Sequence, residues 1–378
     1  VSKSRPASAG GPERFFEKFR AAATRLPAGL IRVVPPATAE DLARAEAALG
    51  RALPEAYASF LRSFDGADLF HESVVIAGVG PGAPRALAEL RQDHPGELVF
   101  AESQAGDRYG LDRRGRVVRH DEGAEERAVA GTSFARWLDA TVAREQLLYG
   151  PDGEYAPDLF DPSGEELLPR VALRQAERAL RADPDAPDAE HARGLALVRL
   201  GDGAAALGAF ARATALDRDN PWPWFDLGRT ALELGRPAEA LPAFRRAAAA
   251  EPGPSGARLL AWAARAAAAL GDEAAAAALR AEALGRDAGL PAALERSARE
   301  AIGADDVAGG REAVALLAII DPNAARAPGL ARLPVVEHAP ARPAVSAPAS
   351  RPPPPARPRR RRRGAPPRSG APRPGSRR

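Results

Sequence analysis

Residues 221–252 read PWPWFDLGRTALELGRPAEALPAFRRAAAAEP. In a unit that begins at Pro221, positions 4, 7, 8 and 11 are Trp224, Leu227, Gly228 and Ala231. Positions 20, 24, 27 and 32 are Ala240, Phe244, Ala247 and Pro252. The stretch predicts two helices joined at Leu234-Gly235. Small residues let the two helices cross closely, and large apolar ones fill the interface to the next unit. One step of 34 residues back, Gly194, Ala206, Phe210 and Ala213 fill the same slots. A further step back places Ala172, Ala176, Ala179 and Pro184 there, although Pro157 and Pro162 interrupt that unit's first helix. Forward, Leu234-Gly235 recurs as Leu270-Gly271 after 36 residues, which puts a two-residue insertion near 254–256. Ala264, Ala276 and Ala283 follow, then a degenerate helical pair over about 291–320. One unit cannot bury its own apolar face, so several must stack.

This spacing resembles the tetratricopeptide repeat and implies an all-α solenoid over 165–322. In that family the first helix of each pair lines a concave groove. Carried onto this chain, the groove slots are Asp188, His191, Leu195, Val198 and Arg199 in one unit. The next unit gives Trp222, Phe225, Arg229, Leu232 and Glu233, and a third gives Arg258 and Arg265. The resemblance implies partner binding through His191, Arg199, Trp222, Phe225, Arg229, Glu233 and Arg265. An aromatic step among arginines suits an extended acidic peptide. The Lys/Asn set of the chaperone-binding clamp is missing. The bland alternative is that an arginine-rich composition decorates any solvated face: the chain has only Lys3 and Lys18 beside its arginines.

Upstream the periodicity is mixed. Helical patterning begins near Pro12, with Phe15, Phe16, Phe19, Ala22, Ala23 and Leu26 on one stripe. Thr38 with Asp41 makes a variant capping box, and Gly50 then Leu53-Pro54 divide two helices. Tyr57, Phe60, Leu61 and Phe64 face one way on the second. Val74–Ile76 and Leu98–Phe100 read as strands, 107–119 as a hairpin, and Thr132-Ser133 as the cap of a helix carrying Phe134, Trp137, Leu138 and Val142. Residues 12–149 thus form an α+β domain. Glu46, Leu49-Gly50, Leu53-Pro54, Tyr57, Phe60-Leu61 and Asp65-Gly66 resemble the SUKH superfamily (Smi/Knr type). So do the 106–107 turn and the Phe134…Trp137-Leu138 helix. Asp65 stands where that family more often has Asn. The resemblance implies a binding module; many bacterial members neutralise a cognate toxin.

Residues 150–164 are rich in Pro, Asp and Gly and read as a linker, and residues 1–11 as a disordered N-terminus. Residues 323–378 read as a disordered basic tail. From Ala339 on there are 12 arginines, 12 prolines and no acidic residue, including Arg359, Arg360, Arg361, Arg362 and Arg363 in a row. The formal net charge of +3 therefore divides into −9 for the body and +12 for this arm. The arm suits a polyanion, an anionic membrane surface, or the acidic body itself. The arginine run has no interleaved aromatics for base stacking.

Composition excludes several chemistries. There is no cysteine, so no disulfide, thiol nucleophile or Cys-ligated metal. Five histidines lack metal-ligand spacing, and no apolar run is long enough to span a membrane. The start lacks a signal-peptide pattern, so a cytoplasmic protein is expected. Gly78, Gly80 and Gly82 after a strand are the one phosphate-cradle candidate, but Pro81 removes a donor and no Gly-Lys-Ser/Thr follows. His71-Glu72 near Asp65 and Asp68 is the one acid/base candidate; an exposed turn is the plainer reading. Thr132 and Ser133 read as caps rather than nucleophiles. The reading is a non-enzymatic protein-interaction chain without cofactor. Its partner would be a toxin or an acidic peptide. The remaining alternative is a nucleotide-binding enzyme built on the Gly78–Gly82 loop.

Overall fold

The structure is a computed structural model that describes residues 12–121, 126–162, 164, 166–326 and 330. The sequence readings for 1–11 and for most of 323–378, including Arg359–Arg363, lie outside the described residues.

The first domain opens with α1 (Pro12–Arg25), β1 (Ile31–Val33), α2 (Ala39–Leu49) and α3 (Glu55–Leu61). Strands β2 (Ala67–Leu69), β3 (Val74–Ile76), β4 (Leu98–Ser103), β5 (Arg108–Leu111), β6 (Val117–His120) and β7 (Arg127–Gly131) follow, then α4 (Phe134–Glu145). The seven strands form one antiparallel meander in chain order, so β1 and β7 are its edges. The capping box at α2 is present: the Thr38 hydroxyl accepts from the Asp41 amide and the Asp41 carboxylate accepts from the Thr38 amide. Gly50 ends α2 at φ 66°, a left-handed conformation that only glycine adopts without steric cost.

The core lies between the helices and one face of the sheet. Tyr57, Phe60, Phe100 and Phe134 are fully buried and meet at ring separations of 5.1–5.8 Å. Each such side chain contributes about 1.5–3 kcal/mol by leaving water. Tyr57 donates its hydroxyl to the Ala77 carbonyl at 2.6 Å, which satisfies the one polar atom in that cluster. The helix expected before Leu90 is a single 3-10 turn, Leu87–Glu89. Pro81 and Pro84 lie just upstream and leave no run of free amides for a longer helix.

Nine helices follow: α5 (Pro169–Ala182), α6 (Pro187–Arg199), α7 (Gly203–Leu216), α8 (Pro221–Glu233), α9 (Pro237–Ala250), α10 (Pro254–Ala269), α11 (Glu273–Arg286), α12 (Leu290–Gly303) and α13 (Val307–Ile320). Each of these from α5 to α13 packs against a neighbour in sequence, and Phe210, Phe244 and the alanines of the repeat slots are buried at the crossings. The repeat whose first helix Pro157 and Pro162 disrupt is completed by α4, which packs on α5. Ala140 of α4, Ala179 of α5 and Ala186 and Ala189 beside and on α6 form a small-residue contact there. One helix thus serves both domains. The segment 150–164 also packs: Tyr149 bridges Tyr155, Phe160 bridges Leu167, and the Tyr155 and Phe160 rings stack at 5.1 Å.

A candidate binding cavity between the two domains

The junction is built from a sheet edge and the ends of two helices. β7 has no strand on its outer side, so its outward amides need acceptors. The repeat supplies them at its own period. Asp183 ends α5 and Asp217 ends α7, 34 residues apart. Asp183 is fully buried and accepts from the Thr132 amide at 2.7 Å and the Thr132 hydroxyl at 2.6 Å. Asp217 accepts from the Val129 amide at 3.1 Å. Thr132 is therefore a latch to the solenoid, not a helix cap; Ser133 alone caps α4. Arg119 on β6 reaches Asp188 on α6 at 3.4 Å and Asp107 at 3.7 Å. Gln175 donates to the Arg144 carbonyl at 3.2 Å.

Beside this contact lies a cavity of about 1050 Å³ walled by both domains. The α+β domain contributes parts of β5, β6, β7 and α4. The solenoid contributes α5, α6 and the start of α8, and the 155–167 segment closes one side. Tyr109, Trp137, Tyr155, Phe160, Trp222 and Phe225 give it aromatic surface. Five arginines and seven carboxylates line it.

The groove residues expected from the repeat divide into two groups. His191, Arg199, Trp222, Phe225 and Arg229 line the cavity; Glu233 and Arg265 do not. Within it the cations are already engaged. His191 Nε2 lies 2.8 Å from Asp226, Arg229 lies 3.2 Å from the same carboxylate, and Arg199 meets Glu166 at 3.0 Å. Arg229 also stands over the Phe225 ring at 5.7 Å. Glu233 and Arg265 belong to a second cluster, where α13 lies against α10. There Glu312 approaches Arg258 at 3.6 Å, and Arg265 covers Trp262 at 5.0 Å. Burial raises the pKa of Glu233 and of Glu312 and lowers that of Arg265.

The acids at the cavity show the same desolvation. Glu126, at the start of β7, is pushed up to about 7, first by burial and then by Asp121, with Glu251 adding to it. Asp107 is raised by burial, against the pull of Arg119. Periodicity could not locate these groups, because they meet across the domain junction.

The other sequence candidates are used locally. The Asp65 carboxylate accepts from the Val79 amide at 2.7 Å and the Gly80 amide at 2.8 Å. A Cβ at Gly78 or Gly80 would lie 2.6 Å from an Asp65 carboxylate oxygen. The anion held by the Gly78–Gly82 loop is thus the chain's own Asp65. His71 and Glu72 sit in the turn between β2 and β3, where Phe70, His71 and Glu72 all have positive φ. The Glu72 amide donates to Asp68 at 2.7 Å, and Asp68 also meets Arg32 at 3.3 Å. Away from the cavity, His94 and His120 stack at 3.5 Å with Glu97 bonded to His120, a pairing the sequence does not advertise. Among the described residues no helix is long and apolar enough to cross a membrane.

Residues 36–140 match the SMI1 / KNR4 family (SUKH-1). Residues 168–221 and 197–263 match tetratricopeptide repeat families. The chain carries an SUKH-1 domain followed by tetratricopeptide repeats, which together fit a protein-interaction module. No curated protein matches it. Among solved structures it is similar to YrrB, described as a tetratricopeptide protein with an unusual peptide-binding site. That match has 21% identity over 42% of this chain and 81% of that one, at a TM-score of 0.31. MamA from Desulfovibrio magneticus RS-1 gives 20% identity, 41% and 86% coverage and 0.30. PilF from Pseudomonas aeruginosa gives 19%, 40% and 68%, and 0.31. Such distant likenesses say nothing of function.

Proposed function

We propose that this chain is a non-enzymatic interaction protein in which the two domains act as one receptor, taking a segment of a partner protein into the cavity between them. The observation that carries this reading is the composite wall: groove residues of the repeats face the SUKH-1 sheet across a space large enough for several residues of peptide. Aromatic surface with a few placed charges is the usual make-up of a recognition site. The Asp65 contact supports this over nucleotide binding, since the loop's amides are already satisfied. Ala192 lines the cavity and is exposed, so Ala192→Trp fills the space without touching a core. Ala192→Trp and Trp222→Ala should each cut capture of the main partner at least severalfold while leaving thermal unfolding unchanged. Undiminished capture by both variants would place the binding surface elsewhere.

A toxin is the partner class that the SUKH resemblance implies. On that reading, co-expression of this chain restores growth to cells producing a toxin encoded beside it. Failure to protect, with both proteins made, removes the toxin and leaves the receptor.

A further inference from the structure

The charges of the cavity do not match the ligand that the groove arginines alone suggest. All five lining arginines face carboxylates of the folded chain. Arg119 meets Asp188, Arg127 meets Glu97, Arg144 meets Glu145, Arg199 meets Glu166 and Arg229 meets Asp226. An acidic ligand would have to break these pairs. Carboxylates outnumber arginines on the wall, and Glu126 has no ion pair among the described residues. The unmet demand is for cations beside aromatic surface.

One segment of this chain supplies both. We infer that the cavity is the docking site of the chain's own C-terminal arm, residues 339–378, with prolines laid on the aromatic wall and arginines on the surplus carboxylates. Polyproline segments dock on aromatic-lined grooves because their extended form is set before binding, and arginine forks pair with carboxylates in two-point contacts. The arm holds 12 of each residue and no acid, so its composition is the complement of the wall. The geometry permits it. The last described residue, Leu330, is buried in the same core cluster as α13, and Arg359 lies 29 residues beyond it. At about 3.1 Å per residue an extended arm spans roughly 90 Å to that point. Helix layers stack about 10 Å apart, so the return from α13 to α6 and α8 is well within reach. Tethering makes the encounter intramolecular, with an effective concentration on the order of millimolar. The inference does not depend on who the partner is; a basic, proline-bearing partner segment would compete with the arm.

The absence of cysteine makes the test direct, since two substitutions give two labelling sites. Gln104 is an exposed turn residue at the cavity wall, and Ser369 lies in the arm. Full-length chain carrying Gln104→Cys and Ser369→Cys is spin-labelled and the label separation measured by pulsed electron resonance. A short-distance population is expected at roughly 0.01 M salt. It should be lost near 1 M, where the screening length falls to about 3 Å. It should also be lost when Arg359–Arg363 are all changed to Gln, and reduced by Glu126→Gln with Asp121→Asn. A distance distribution indifferent to the five arginine changes overturns the inference. Adding a thymidine oligonucleotide should lengthen the separation by withdrawing the arm. Oligonucleotide binding that leaves the short distances intact would show the arginines to be free, and also overturns it. None of these readouts involves a partner, so failure here and failure of the receptor reading are distinguishable.

Discussion

Gly194 in α6 and Gly208 in α7 predict opposite outcomes for one substitution. A Cβ on Gly194 would lie 2.4 Å from the ring of Phe210, which is fully buried. Alanine gains about 1 kcal/mol over glycine in helix propensity, but overpacking a core costs about 1–3 kcal/mol. Gly194→Ala should therefore destabilise the chain on balance. Nothing lies within 4 Å of a Cβ on Gly208, so Gly208→Ala should stabilise it by up to about 1 kcal/mol. Urea unfolding of the two variants reads the signs directly; equal shifts would deny that the small residue at the repeat's crossing is required. That requirement was legible from position 8 of the repeat, because it is a property of one helix pair and recurs with its period. The role of Thr132 was not. Its partner Asp183 is 51 residues away and no periodicity links them. The local pattern instead suggested a cap.

At the scale of elements, the solenoid finishes the sheet. β7 would otherwise present bare amides, and the ends of α5 and α7 supply acceptors at the spacing of the repeat. Asp183→Ala strands both the amide and the hydroxyl of Thr132 in a buried place. A hydrogen bond to a charged group is worth about 1.5–3 kcal/mol, so a loss of about 2–4 kcal/mol is expected. Asp217→Ala removes one such bond and should cost less. The double variant should also divide unfolding into two transitions, one for each domain, when followed by calorimetry. A single transition at unchanged midpoint would mean that these carboxylates do not couple the domains. The helices themselves were readable in the sequence; the sharing of α4 between domains was not. Its large apolar residues, Phe134, Trp137 and Leu138, mark the face toward the α+β core. The opposite contact runs through Ala140, and an alanine in an alanine-rich chain is silent in any hydrophobic pattern.

For the whole molecule, the sequence showed an acidic body and a basic arm, but not where the body concentrates its uncompensated acid. The structure puts Glu126 at the junction of sheet and solenoid, facing Asp121, Glu251, Arg119 and His191. Burial first, then the two carboxylates, raise it from 4.5 to about 7. Between those values the folded chain holds a proton that the unfolded chain has released. Rising pH through that window must then lower stability, and acidification from above about 7 must restore it. Asp107, also raised by burial, acts with the same sign at lower pH. His94, lowered by burial and by His120, acts with the opposite sign as pH falls through 6.5. The total profile mixes these groups, so the prediction concerns a difference. Glu126→Gln removes the titrating group and keeps its shape. The stability of the natural chain relative to this variant should decline from about pH 5 to about pH 8, by denaturant midpoints measured at matched ionic strength. Parallel profiles would show that Glu126 is solvated in the folded chain. A basic segment seated beside it would lower its pKa, so the five-arginine variant should show the steeper decline if the natural arm already provides that charge.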